Sequence, residues 1–310
     1  MKIFKIPYVL LAVYFVLFCL TAVTDSMAAQ LKKRVAVFDF EDKTSHQYRW
    51  WTGQPVGEGM ADMLVTSLVK TGNYQVIERQ EIDKIMQEQQ LGMSGVVTQQ
   101  SAAQVGKVLG VELAIFGSVT EFGYSEGTTG GRLKSQGLGL GIKSSSATVA
   151  VDVRFVNTTT GEILLAESVR KEESKKGIAL DTRQFNFENQ KSFDESIVGK
   201  ATRASIDEIV QLVDNASQGL SWQGKIIKGD GPIYINAGSE GGIQVGDEFD
   251  VFRAGEELID PDTGLALGAV ETKVGTIKVT NNSVGNGKAS ECMATSGAGF
   301  ERNDIVRPKK

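Results

Sequence analysis

His46 is the only histidine among the 310 residues, and it lies in a polar stretch. That rules out His-cluster zinc sites, and a lone histidine in a polar loop argues against a histidine-based nucleophile triad. The glycine-rich run GTTGG at residues 127–131 is not followed by Lys-Ser or Lys-Thr, so it is no phosphate loop. Asp260-Pro-Asp-Thr-Gly264 begins like a calcium loop, but Gly264 stands where a further oxygen ligand belongs, and no glutamate completes the shell. A solvated turn between strands suits these residue types better. No paired carboxylates stand out as acid and base. The sequence therefore assigns no catalytic residue, no metal ligand and no cofactor, and it reads as a structural or binding component rather than an enzyme.

The elements around these positions are legible. Val35, Val37, Phe38 and Phe40 leave no polar face, as in a strand covered on both sides. Val56, Met60, Met63, Leu64 and Leu68 then recur at steps of three and four, the stripe of an amphipathic helix, and Gly72-Asn73 offers its C-terminal stop. Ile82, Ile85 and Met86 predict a shorter helix, and residues 99–109 another, with Thr98 as cap and Gly110 as stop. Residues 111–122 (VELAIFGSVTEF) read as a strand. Residues 148–171 read as two strands joined by a polar turn in which Gly161 adopts positive φ at little steric cost. A long helix is expected over residues 194–216, capped by Asp194, with Ile197, Ala201, Ala204, Ile209, Leu212 and Val213 as its buried stripe. Together these describe an α+β unit, one sheet with helices packed on it.

Three stretches, VAVFDFEDKT from Val35, MLVTSLVKTGNYQVIERQ ending at Gln80, and TVAVDVRFVNTTTGEILLAESVRK from Thr148, resemble the periplasmic domain of the CsgG family, the outer-membrane secretion channel of curli fibres. The resemblance spans residues 35–220 and includes the GSV of the 111–122 strand. It implies a ring of identical subunits that passes a secreted protein substrate. It also implies that two hairpins interrupting ordinary strands, here at residues 122–147 and 174–197, join a shared transmembrane barrel. A loop between the first strand and first helix would narrow the channel. That loop is residues 41–55, with Tyr48, Trp50 and Trp51 at the constriction, or else buried against their own domain or a neighbour.

The first hairpin segment contains QGLGLGIK, residues 136–143. As a strand it places Leu138, Leu140 and Ile142 on one face and Gly137, Gly139 and Gly141 on the other, the alternation of lipid-facing and lumen-facing positions. The apolar stretch is short against the ~9–11 residues a crossing strand needs, so a glycine-rich loop or soluble hairpin is the alternative reading. In the second segment Ile178 and Leu180 share one parity and Phe185, Phe187 and Phe193 the other, which a turn between them would reset.

Residues 1–28 read as an export signal, with Lys2 and Lys5 ahead of an apolar run and Ser26-Met27-Ala28 as the cleavage site. The family pattern carries a lipidated cysteine after the signal; Cys19 lies inside the apolar run behind Phe18, which departs from it. Its removal leaves Cys292 alone, read as a strand cysteine without an internal disulfide. Losing two lysines and one aspartate moves the formal charge from −5 to −6, and no basic cluster invites nucleic acid. The composition shifts near residues 217–224, giving residues 29–220 as the α+β domain and 222–310 as a second one. There GKII, PIYIN, DEFDVFR, GTIKVT, ASECMAT and DIVR alternate in short runs between glycine-rich turns, the pattern of a small β-barrel. This part resembles the SH3-like domain of the flagellar assembly protein T family.

Two functions from different classes follow. One is a ring-forming, outer-membrane-associated secretion subunit; the other is a soluble periplasmic scaffold or adaptor without a pore of its own. Both place the protein in the periplasm of a Gram-negative-type envelope. The signal reading predicts a mature chain beginning at Ala29 without an acyl group, which intact-mass measurement of the exported protein checks; a diacylated or full-length mass would refute it.

Overall fold

A strand can be apolar on both sides only if something covers both, and β1 (Lys33–Val37) and the residues after it meet that condition. In the computed structural model, which describes residues 31–44, 53–77, 110–129, 142–176, 190–259, 261 and 266–309, Val35 and Val37 point into a core shared with two helices. Ala36 and Phe38 point into a separate cluster on the opposite face. There the Phe38 and Phe116 rings stack with centroids 4.5 Å apart. The short helix expected at residues 82–86, the one at 99–109 and the signal segment lie outside the described residues.

The first helix, α1 (Val56–Thr71), follows β2 (Glu41–Asp42) and presents Val56, Met60, Leu64 and Leu68 to the sheet, all fully buried. It ends as its sequence indicates, at Gly72 with φ 71°. The chain then forms β3 (Tyr74–Ile77), β4 (Leu113–Thr129), β5 (Ile142–Asn157) and β6 (Ile163–Lys176). The sheet order is β3-β1-β4-β5-β6, with β2 alongside β4. β1 pairs parallel with β3 and β4, whereas β4, β5 and β6 form an antiparallel meander. Gly161, at φ 75°, closes the β5–β6 turn as expected.

β4 outruns the expected strand by seven residues, and its ladder with β5 continues to Thr129 opposite Ile142. A β-bulge between Val119 and Glu121 resets its side-chain phase. Before the bulge Leu113, Ile115 and Val119 face the helices; after it Phe122 and Tyr124 do. Phe40 crosses this sheet so closely that a β-carbon on Gly117 would stand 2.6 Å from its ring.

The long C-terminal helix of this part corrects one expectation. A short helix, α2 (Gln190–Glu195), is followed by α3 (Ile197–Gln218), whose cap is Ser196, not Asp194. The Ser196 hydroxyl accepts from the Gly199 N–H at 2.9 Å, while Asp194 accepts from Arg203 instead. The buried face is also rotated. Ser205 and Ile206 are fully or almost fully buried alongside Ala201, Ile209 and Val213, whereas Ala204, Ile197 and Leu212 lie at its margins. Phe193, in α2, is buried in the same core.

All six strand-like runs after Trp222 form strands: β7 (Gly224–Lys228), β8 (Ile233–Ile235), β9 (Glu248–Ile259), β10 (Ala266–Val284), β11 (Ala289–Gly297) and β12 (Ile305–Pro308). They close into a barrel in the order β10-β11-β8-β7-β12-β9. Few strands can close only by bending sharply, and register shifts occur along β10 on both of its edges. The interior holds Trp222, Ile226, Ile235, Phe249, Val251, Ile277 and Val306. Trp222 and Phe249 lie 5.4 Å apart, ring centre to ring centre. The acidic turn that begins like a calcium loop falls, apart from Pro261, outside the described residues.

Cys292 on β11 is a free thiol, 4% exposed in the barrel interior. Burial pushes its pKa up to about 12, so it stays protonated and poorly nucleophilic near neutrality. A thiol reagent at neutral pH is therefore expected to label Cys292 only when the barrel opens, and to label the urea-unfolded chain completely. Rapid labelling of the native protein would contradict this placement.

Candidate functional site at the junction of sheet and barrel

Of the candidate site residues that the sequence singles out, Ile142 alone falls among the described ones. Tyr48, Trp50 and Trp51 lie outside the described residues, as do Leu138 and Leu140. The backbone of Ile142 is described: it begins β5, hydrogen-bonded as a ladder partner of Thr129. The second hairpin segment enters as the end of β6, through Lys176, and returns as α2 from Gln190, with residues 177–189 outside the description. The described β4–β5 ladder ends at Thr129 and Ile142, the residues that flank 130–141 in the chain. β4 has 17 residues and β5 has 16, each about three times an ordinary strand. Among the described residues no helix is long and apolar enough to cross a membrane, which says nothing of crossing by strands.

A different cluster is assembled by strand register. Val35 pairs with Leu113, so the residues one step earlier, Arg34 and Glu112, lie side by side on the face away from the helices. Both are 6% exposed. The Arg34 N–H donates to Glu112 Oε2 at 2.5 Å, the Glu112 N–H donates to Arg34 O at 2.9 Å, and Arg34 Nη2 stands 3.5 Å from Glu112 Oε1. The pair also holds the chain entering the barrel. Arg34 Nη2 donates to the Gln223 carbonyl, and the Gln223 N–H donates to Glu112 Oε1 at 3.3 Å. Gly110 makes room for the guanidinium: its φ is +65°, and a β-carbon there would stand 3.1 Å from Arg34 Cζ.

Neighbouring groups extend this polar seam. Lys33 Nζ donates to the Ser217 carbonyl at the end of α3, and burial lowers the lysine's pKa against the pull of Glu112. The Tyr74 hydroxyl donates to Asp214 and lies 3.1 Å from Ser217 Oγ; burial first, then the aspartate, pushes its pKa up to about 12. Beside the seam is a cleft of ≈ 340 Å³, walled by Arg34, Glu112 and Thr158 on the sheet and by Lys225, Gly255 and Glu271 on the barrel. Glu271 is already gripped by Arg307 at 2.5 and 2.7 Å. Among the described residues no three His, Cys, Asp or Glu side chains gather as a metal set.

Sequence reasoning missed this cluster because a charged residue at the start of an apolar strand ordinarily faces water. Only the β1–β4 register, together with Gln223 arriving from the far side, buries both charges. Ser217 and Gln223, within the stretch where the composition shifts, are both bonded to the sheet.

Burial raises the pKa of Glu112; Arg34 and the two backbone donors pull it back only in part. A carboxyl that binds its proton more readily folded than unfolded contributes stability that is full below the ordinary carboxylate range and declines as pH rises through the raised value. Glu112→Gln, neutral at every pH, should therefore gain on the parent protein across that rise. Urea-unfolding midpoints of both from about pH 4 to pH 7 check the sign. Two parallel curves would contradict it.

No curated protein sequence matches the chain. Among solved structures, the hypothetical protein CT253 of Chlamydia trachomatis is similar at 16% identity, covering 60% of this chain and 98% of that one, with a TM-score of 0.39. Lipoprotein GNA1162 of Neisseria meningitidis follows at 17% identity, 58% and 99% coverage and a TM-score of 0.33. The PelC dodecamer of Paraburkholderia phytofirmans stands at 10% identity, 58% and 86% coverage and a TM-score of 0.29. At these scores the likeness bears on neither partners nor assembly. The model of the family described as "Curli production assembly/transport component CsgG" matches residues 19–225, well over half of the chain, and the protein belongs to the CsgG family.

Proposed function

We propose that this is an exported envelope protein, a ring-forming subunit associated with outer-membrane secretion or assembly of a curli-like or other surface polymer. Family membership supports the export role. The observation that carries the reading further is the β4–β5 ladder, which, past its bulge, runs from the helix-packed core out to Thr129 and Ile142. Strand ladders satisfy their own backbone groups, which is the condition for entering a bilayer as part of a closed barrel. In this reading Leu138, Leu140 and Ile142 face lipid, and Tyr48, Trp50 and Trp51 line a constriction between neighbouring subunits. The protein acts in the periplasm against the outer membrane, takes a secreted protein as its cargo and performs no catalysis.

The closed C-terminal barrel favours a second reading. Apart from its first residues it lies beyond the family match, which ends at residue 225. If it is SH3-like, as in the flagellar assembly protein T family, it would dock another envelope component, and the protein would be a soluble periplasmic scaffold.

Arginine substitution on the two faces of residues 136–143 separates these readings. In a pore, Leu140→Arg should cost roughly 2–4 kcal/mol near the bilayer midplane, while Gly139→Arg should assemble and alter conductance. In a scaffold both should behave like ordinary surface changes, within about 0.5 kcal/mol of the parent. Membrane fractionation and single-channel recording of the parent and both variants decide. Equal behaviour with no conductance from the parent would overturn the pore.

A further inference from the structure

Among the described residues none of the apolar clusters is shared between sheet and barrel. One lies between the sheet and its helices, one on the sheet's opposite face, and one inside the barrel, where Leu31, just ahead of β1, packs against it. The hydrogen bonds that cross the junction are polar groups meeting one another. Arg34 and Glu112 grip the N–H and C=O of Gln223, and the Lys32 N–H donates to the Gly241 carbonyl at 3.0 Å. Gln223 follows Trp222, buried in the barrel core, so its main chain moves with the barrel.

Such a contact is closed without being strongly held. The attraction of a buried ion pair is largely offset by the desolvation of its charges. Arg34 Nε, buried in the closed state, finds no hydrogen-bond acceptor, which weakens that state further. The two chain connections between the parts lie together, one at Lys32–Lys33 and one between Ser217 and Gln223. The ≈ 340 Å³ cleft opens on the seam beside them. Bodies joined without a shared apolar core move relative to one another by default.

We propose that the Arg34–Glu112 pair is a latch that grips the main chain of Gln223, and that the barrel swings away from the sheet as a folded body when this grip is lost. The hinge is the pair of adjacent connections, and Leu31 and Lys32 travel with the barrel. The device is independent of whether residues 136–143 enter a membrane.

Native-state proteolysis of the full chain, scored for cutting within residues 218–223, tests the latch. Glu112→Ala removes the acceptor for Gln223 and leaves Arg34 uncompensated, so cutting should accelerate roughly hundred-fold. Glu112→Gln, which keeps one acceptor, should fall between that variant and the parent. Cys292 should remain as unreactive as in the parent throughout, because the barrel stays folded. Leu64→Ala, which weakens the sheet core far from the junction, should not accelerate cutting in this segment. An unchanged rate in Glu112→Ala overturns the proposal. So does Cys292 labelling that rises in step with cutting, or equal acceleration by Leu64→Ala, since either would mean general unfolding.

Discussion

The parallel pairing of β1 with β4, Val35 against Leu113, is the constraint on which the rest depends. It sends Val35, Val37, Leu113 and Ile115 toward the helices and Ala36, Phe38, Ala114 and Phe116 to the opposite face. A slip of one residue would exchange those faces and place the wrong side chains against α1 and α3. The same register buries Arg34 beside Glu112. One backbone alignment therefore fixes the apolar core, the second face and the polar seam where the barrel attaches.

The bulge at Val119–Glu121 is a second constraint. β2 accompanies β4 only through Ser118 and Val119, with the Lys43 N–H donating to the Val119 carbonyl at 2.9 Å. Past this point β4 keeps β5 as its partner and shifts phase by one residue. The shift lets Phe122 and Tyr124 reach the helix-side core that Leu113, Ile115 and Val119 began. Without it the aromatic pair would turn away from the helices and the ladder beyond would have no anchored base.

The barrel solves a different problem. Its strands are short or bent, and its core is small, so it relies on the large side chains Trp222, Phe249 and Phe300 to fill the interior. Outside, ion pairs such as Arg253 with Asp304 and Arg307 with Glu271 tie strands together at their rims. Among the described residues the barrel and the sheet each have their own apolar core, and they are joined mainly by polar contacts. That division allows the junction to be specific in geometry while adding little apolar stabilisation.

The local elements are legible in the amino-acid sequence alone, because periodicity and end signals are local. The α1 stripe with its Gly72 stop, the turn at Gly161 and all six barrel strands were legible from side-chain spacing and glycine placement. The sequence also identified the family, through VAVFDF and the TTGEI turn. Tertiary structure decided what depends on partners distant in the chain. Asp194 had the chemistry of a cap but was drawn to Arg203, leaving Ser196 to cap α3, since only the fold shows which acceptor a side chain meets first. β4 ran past its apolar stretch because β5 was there to pair with it, a benefit no single strand records. Arg34 and Glu112, 78 residues apart, carry no local sign of burial; register and the arrival of Gln223 enclose them. Burial is a property of the assembled chain, and so is the chemistry that burial confers.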